Sequence, residues 1–503
     1  MTNFDSADRP ASPALSLLVL SLSLLGAGSM VFYYAGLFIP RLIEARVSKN
    51  LDGGYSFGND FYQIWLTSRE CLPHRCNPYS EEMTRRIQTG LYGRPLNPNL
   101  RTDPKDRRSF PYPFFADLLF WPASQMSFPL IRVVVVIVLA ILTAISFFLW
   151  AQALGWQPGR AGIGFGLCAL LSSYPALEGL YAAQIGLLVA FLFASSILAL
   201  RRDKLLLSGV LMAFTTLKPQ TMLLAIVYIL LWSFQDWRTR RRFWAGWLAT
   251  MLALVGSALI VWPQWIRYWL SVVIAYHGYT PPPILIEFLK PPLGALAVPA
   301  GTVIIVALVS GAALLMWQRR SAAARSDEFW LTLSIVLAIT TVALLPGQAI
   351  YDHVLLLPGV LLLARDWRTW SGTWIFAALR WTGACMLIWP WLAAVAVILL
   401  KPRLSHEAFQ SVAVFSLPLR MSTVFPFVVL ACCLLVLRSR QIGSGERVLS
   451  RTRPLTILRS RFLVLFLSKM RVRAGIHRAA SIRIRELLFF TGKYRTAACA
   501  KAE

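Results

Sequence analysis

The apolar residues of this chain are gathered into long, nearly charge-free runs, among them Ala14 to Tyr34, Ile131 to Trp150 and Trp381 to Leu400. About 20 apolar residues are needed for a helix to cross the ~30 Å hydrocarbon core of a bilayer. In lipid the backbone must satisfy its own polar groups, so such runs form helices. A membrane β-barrel would show alternation and not solid apolar blocks. The fold class is therefore all-α, a polytopic transmembrane helix bundle. The first run is longer than the apolar core of a secretory signal and lacks a clear small-residue cleavage pattern behind it, so it reads as a retained first span.

The runs give about 12 spans: 14–39, 130–152, 160–177, 184–200, 205–217, 219–234, 243–263, 299–317, 329–346, 354–365, 381–400 and 418–437. Residues 205–217 and 219–234 are divided at Lys218-Pro219, because proline disfavours helix at the residue before it. Two short helices or one re-entrant hairpin are expected there. The polytopic domain covers 1–437, and a basic tail covers 438–503.

Lys and Arg concentrate on the cytoplasmic side of membrane proteins. With the N-terminus inside, the inner connections carry Arg160; Arg201, Arg202 and Lys204; Arg238 and Arg240 to Arg242; Arg319, Arg320 and Arg325; and Arg365, Arg368 and Arg380. The tail falls inside too. The short outer connections carry few, such as Lys290, Lys401 and Arg403. A net charge of +27 is thus read as membrane topology and contact with anionic lipid, and not as nucleic-acid binding.

The long extracytoplasmic loop 41–129 has many turn formers and then an aromatic, apolar stretch, Phe114 to Phe128, that suits interfacial helices. A second outer segment, 264–298, is rich in Trp and Pro. Cys71 and Cys76 share the first loop. They are suited to a local disulfide if that loop meets an oxidising compartment, while their spacing with His74 matches no strong zinc pattern.

Polar residues near the outer face are the candidates for chemistry. Asp60 follows the first span and precedes Phe61, Tyr62 and Trp65. A loop acid is most often simply solvated, but one held among aromatics at a membrane surface gains basicity and suits a general base. Lys218, at a helix break within apolar sequence, either snorkels to the surface or presents a cation to a phosphate. In Tyr351-Asp352-His353, the histidine has the chemistry to donate to a phosphate or sugar oxygen, with Asp352 fixing its tautomer. Gln184, Tyr62, Asp352 and Arg267 are further candidate cavity residues. No metal or cofactor is expected: there is no Walker pattern and no zinc-protease pair.

Asp60-Phe61-Tyr62, Asn77-Pro78-Tyr79, Tyr112-Pro113-Phe114, Ala183-Gln184-Ile185-Gly186 and Leu217-Lys218-Pro219 together resemble glycosyltransferase family 87, polyprenyl-phosphate-mannose-dependent enzymes of the GT-C superfamily. The resemblance runs over about residues 10–435. It implies inverting transfer of a sugar, mannose in this family, from a polyprenyl-phosphate donor to a lipid or glycan acceptor, at the outer face of a bacterial inner (plasma) membrane. Carried over, Asp60 is the catalytic base, and Lys218 and His353 face the donor phosphate. The family's Gly-Gln-x-Asn pattern stands here as Ala183-Gln184-Ile185-Gly186, without its Asn. The competing reading is a transporter or flippase for a lipid or anionic solute. Transporters carry paired broken helices in two matching halves, and one break is evident here.

Overall fold

The computed structural model describes residues 12–367, 374–403 and 412–449. Arg368 and residues 450–503 of the basic tail lie outside the described residues. Among the described residues every named element is helical. In chain order the α-helices are α1 (Pro13–Tyr33), α2 (Ile39–Val47), α3 (Asn59–His74), α4 (Glu81–Tyr92), α5 (Phe115–Ser124), α6 (Phe128–Leu154), α7 (Arg160–Leu171) and α8 (Tyr174–Tyr181). Then come α9 (Gly186–Arg201), α10 (Leu205–Phe214), α11 (Pro219–Gln235), α12 (Trp237–Val261), α13 (Trp265–Tyr279) and α14 (Ile284–Leu293). The last are α15 (Ala297–Gln318), α16 (Asp327–Ile339), α17 (Leu357–Arg365), α18 (Trp374–Leu400) and α19 (Leu417–Leu449), with a single helical turn, Val412–Phe415, just before α19.

Seven helical stretches are long and apolar enough to cross a bilayer: Pro13–Val47, Phe128–Leu154, Trp237–Val261, Ile284–Gln318, Asp327–Leu344, Trp374–Arg403 and Leu417–Arg440. The pair α7 and α8, bent by 52°, makes an eighth if it is one span. Gly186–Arg201, Leu205–Leu217 and Pro219–Gln235 are apolar but shorter, and α17 has nine residues. Each of the twelve expected segments is thus helical, but the count of full-length single helices is smaller. Ala183-Gln184 precede α9 and Lys218-Pro219 divide α10 from α11, while a 3-10 segment, Ile350–Leu356, leads into α17.

One expected boundary shifts and another holds. The first span does not stop before Pro40. A π-helical turn at Tyr34–Phe38 precedes α2 and lets the helix continue to Val47, because such a bulge accommodates the donor that proline lacks. The first loop therefore begins after Val47. At Lys218 the expected break is present: a 3-10 turn Thr215–Leu217 ends α10, Lys218 has φ −134° and ψ 72°, and Pro219 opens α11.

The long helices turn apolar side chains outward, with Ile260 85% and Leu252 72% exposed. Large exposed apolar surface of this kind is the counterpart of lipid. The core lies where α3, α5, α6, α9, α11 and α16 meet, around Phe61, Phe147, Phe193, Tyr228 and Phe329.

The two ends of the bundle differ. At one end arginines bind carbonyls and acids of neighbouring helix ends. Arg201 donates to the Gln152 and Ala153 carbonyls, Arg325 to Asp203, and Arg365 to Leu154 O and Asp327. Arg440 joins them through Asp327 and Asp366. Cations near helix C-termini suit the partial negative charge there. At the other end, the first loop and the segment of α13 close over the bundle. The Trp269 indole donates to Pro111 O (3.1 Å), and Trp262 stacks between Tyr79 and Tyr268.

In the first loop, Cys71 and Cys76 are joined as a disulfide, with Cα atoms 4.4 Å apart. It ties the end of α3 to the turn after it and takes both sulfurs out of any metal site. The Cys71→Ala/Cys76→Ala variant is expected to destabilise this loop by about 2 kcal/mol, from the closure entropy of a short ring. Hydrogen exchange measures it: protection at the C-terminal turn of α3 should fall, and unchanged protection would contradict the role given to the bridge.

Candidate active site

The first turn of α3 is pinned by the turn between α8 and α9. Gly58, with φ +78°, reverses the chain into the helix; few non-glycine residues adopt that conformation. The Gly58 N–H donates to Tyr181 O (2.8 Å) and the Asp60 N–H to Ala182 O (3.0 Å). These first-turn N–H groups have no partner within a helix, so the docking satisfies them and fixes Asp60 in place. On the other side Ala183 has φ +50°. That turn presents the Gln184 side chain to Asp60.

Asp60 is 7% exposed. Its Oδ2 accepts from Gln184 Nε2 (2.6 Å), and its Oδ1 accepts from Arg108 (2.8 Å). Gln184 Oε1 in turn accepts from the Tyr112 hydroxyl (3.1 Å). Arg108 has φ +55° and its own N–H donates to Asp106, so a tight turn of the first loop carries it. Burial pushes the Asp60 carboxyl above the usual carboxylate range, while Arg108 and Lys218 pull it down. A carboxylate has about four lone-pair positions, so two protein bonds leave room for a further hydroxyl.

Lys218 is 5% exposed and Asp352 2%. Lys218 Nζ donates to both Asp352 oxygens, at 2.7 and 2.8 Å, and lies 4.5 Å from the centroid of the Tyr351 ring. A buried cation without a partner is costly, and here the pair is complete. Gly186 joins the two halves of the site. A Cβ placed there would lie 2.7 Å from Asp352 Oδ1 and 3.3 Å from Lys218 Nζ, while Gln184, two residues back, holds Asp60. The N-terminus of α9 and the break before α11 therefore meet at one place. Helix N-termini favour negative charge. The arrangement offers one carboxylate of raised basicity, two cations already paired with acids, and the N-terminus of a helix.

Of the residues read from the sequence, Asp60, Gln184, Lys218 and Asp352 belong to this cluster. Tyr62 does not contact it; its ring stacks on Tyr55 and Trp65 and meets Phe128 edge-on. Arg267 is exposed on α13. His353 is not one of the groups bonded to Lys218, and Asp352 binds Lys218 and does not orient the imidazole. The His353 ring faces a cavity on the other side of the 3-10 turn Ile350–Leu356. Arg108 and Tyr112 were not singled out as site residues by the sequence. Tyr112-Pro113 was visible as a motif, whereas Arg108 is one of several arginines in a polar loop. Asp117, inside the first loop, is fully buried and accepts from Thr67 (2.7 Å) and Ser68 (3.2 Å). Burial pushes it up to about 8. It ties α3 to α5 and does not touch the Asp60 cluster.

Fold and site together define a multi-pass membrane protein with a buried acid and an ion pair at one end of its bundle. Residues 110–346 match the model of glycosyltransferase family 87. The match includes Tyr112, Gln184, Gly186, Lys218 and Arg267; Asp60, Arg108, Asp352 and His353 lie outside it. No curated protein matches the chain.

Gly186→Ala tests how tightly the halves are joined. The added methyl has to displace Asp352, whose carboxylate is held by two bonds to Lys218. Overpacking of this kind costs about 1–3 kcal/mol, so glycosyl transfer should fall about tenfold or more. Wild-type turnover by Gly186→Ala would show that the contact is not needed.

Proposed function

We propose that this protein transfers a sugar, mannose by family resemblance, from a polyprenyl-phosphate donor to a hydroxyl of a lipid or glycan acceptor. The observation that carries this reading is the linked pair of Asp60 and Lys218, joined through Gln184 and Gly186. Asp60 takes the proton of the acceptor hydroxyl. The acceptor oxygen forms a bond to the anomeric carbon as the bond from that carbon to the phosphate oxygen breaks. The leaving polyprenyl phosphate keeps the electron pair, and configuration inverts. Charge grows on the phosphate in this step, so a fixed cation such as Lys218 lowers the barrier. A water-poor site makes that interaction stronger than it would be in bulk water.

The cations are already paired, so donor binding is an exchange. The phosphate competes with Asp352 for Lys218, or with Asp60 for Arg108. In the second case the base is released as the donor arrives. His353 is not needed in this scheme, since it lines a separate cavity and is not among the groups bonded to Lys218.

Two observations support an extracytoplasmic location for the site. The disulfide lies in the same loop as Asp60, and disulfides persist in oxidising compartments. The arginine-rich end of the bundle is opposite, where the positive-inside rule puts the cytoplasm. The localisation we assign is the bacterial inner membrane, with both termini cytoplasmic.

The test is donor choice. Purified protein in lipid nanodiscs is given an acceptor lipid extract with either polyprenyl-phosphate-mannose or the corresponding nucleotide sugar. Transfer from the polyprenyl donor alone is expected. Transfer from the nucleotide sugar alone would overturn the donor assignment.

A further inference from the structure

The two cations of the site are not equally placed to meet a ligand. The Lys218 side chain is 6% exposed, with two bonds to Asp352 and the Tyr351 ring beside it. The Arg108 side chain is 21% exposed. Its Nε donates to the Tyr92 hydroxyl (3.3 Å) and lies 3.5 Å from Asp106 Oδ2, while its Nη1 donates to Asp60 Oδ1. Its Nη2 is neither buried nor hydrogen-bonded among the described residues.

This arrangement is a pivot. Tyr92 and Asp106 hold the guanidinium by Nε, so the two Nη groups can turn while the stem keeps its seat. A turn of the first loop carries that stem: Arg108 has φ +55°, and its N–H donates to Asp106 Oδ1 (3.0 Å). The next residue, Ser109, shares a 2.5 Å hydrogen bond with Tyr279 of α13, and α13 exposes Leu270 and Ile274. A short helix with an exposed apolar face suits the bilayer surface. The turn thus links Asp60 to an element at the level where a lipid-linked phosphate is carried. A guanidinium is a fork that takes two oxygens of one anion in parallel. Asp60 occupies one Nη group only. A phosphate would fill both, and so offers Arg108 more than the carboxylate does.

We infer that Arg108 is a latch on Asp60 that the donor phosphate opens: Arg108 bonds the base in the donor-free protein and moves to the phosphate when the donor binds. This rests on the donor reading above and adds a second phosphate contact to Lys218. Gln184 stays on Oδ2 and keeps the carboxylate aimed, while Oδ1 is freed for the acceptor hydroxyl. The base is therefore released only when the sugar to be transferred is in place.

Binding and pH profiles of the full-length protein in nanodiscs test it, with polyprenyl phosphate as the binding probe and polyprenyl-phosphate-mannose as the substrate. Arg108→Gln should bind the probe about tenfold more weakly than wild type, the worth of a hydrogen bond to a charged group. In the wild type, the acid limb of kcat/KM for the donor reports the free protein. It should lie at lower pH than the limb of the single-turnover rate of donor-loaded protein, since Arg108 favours the charged carboxylate until the donor arrives. In Arg108→Gln the kcat/KM limb should move up and the two limbs draw together. Arg108→Lys, which keeps the charge but not the fork, should restore the gap and still bind the probe weakly. An arginine that only braced the loop would leave the spacing of the limbs unchanged. Wild-type affinity in Arg108→Gln, or coincident limbs in the wild type, would overturn the latch and leave the donor reading standing. A wild-type protein that does not bind polyprenyl phosphate would overturn that reading and the latch with it.

Discussion

Asp60→Asn is expected to lower sugar transfer by about 10²- to 10⁴-fold, the usual contribution of a general base. The substitution keeps the shape of the side chain and an oxygen for Arg108 to bond. The backbone bond from Asp60 to Ala182 is untouched, so folding and membrane insertion should survive. The same residue sets a pH dependence. A base works as the carboxylate, so activity is present above its pKa and lost as pH falls through it. Burial raises that pKa, which puts the acid limb of kcat/KM above the ~4 of an ordinary aspartate. Below that limb the rate should fall about tenfold per pH unit. Residual activity of Asp60→Asn should lack the limb. A limb at the same pH in the variant would assign it to another group.

Lys218→Met has the second large effect, and it acts on two properties at once. Removing the lysine leaves the buried Asp352 carboxylate without its partner. Breaking a buried ion pair from one side costs about 3–5 kcal/mol. Loss of transfer in this variant would therefore mix loss of fold with loss of phosphate binding. The double variant Lys218→Met/Asp352→Leu separates them. An ion pair replaced by apolar groups of similar volume is often neutral or stabilising, so the double variant should regain stability and remain inactive. Thermal unfolding in detergent, read beside the transfer assay, distinguishes the two. An active double variant would remove Lys218 from the chemistry.

Helical character was legible in the apolar runs because these have one stable form in lipid; α3 and α4, in the polar first loop, and α13 and α14, in the outer segment, were not legible as helices. Helix length was not legible either. Hydropathy averages over a window and does not tell one full crossing from a bent pair, as α7 and α8, read as the single span 160–177, show. Lys218-Pro219 was legible as a break because proline acts on its immediate neighbour. Asp60 and Gln184 were each visible, but they meet across 124 residues of sequence, and no local pattern reports such a contact. Arg108 was hidden among Arg101, Lys105 and Arg107. What distinguishes it is a turn that aims it inward. His353 was placed with Lys218 on sequence adjacency to Asp352. On a 3-10 turn, with three residues per turn, neighbours point about 120° apart, so Asp352 faces the lysine and His353 faces the lipid-side cavity.

The central claim is that Asp60 performs proton transfer and the Lys218–Asp352 pair handles the donor phosphate. Donor affinity and single-turnover rate, measured together on the wild-type protein, Asp60→Asn and Lys218→Met/Asp352→Leu with polyprenyl-phosphate-mannose, test it most directly. The account predicts that Asp60→Asn binds donor nearly as wild type but transfers almost nothing, while the double variant binds donor at least about tenfold more weakly, the loss of a charge-assisted contact. Wild-type transfer by Asp60→Asn, or wild-type donor affinity in the double variant, would contradict it.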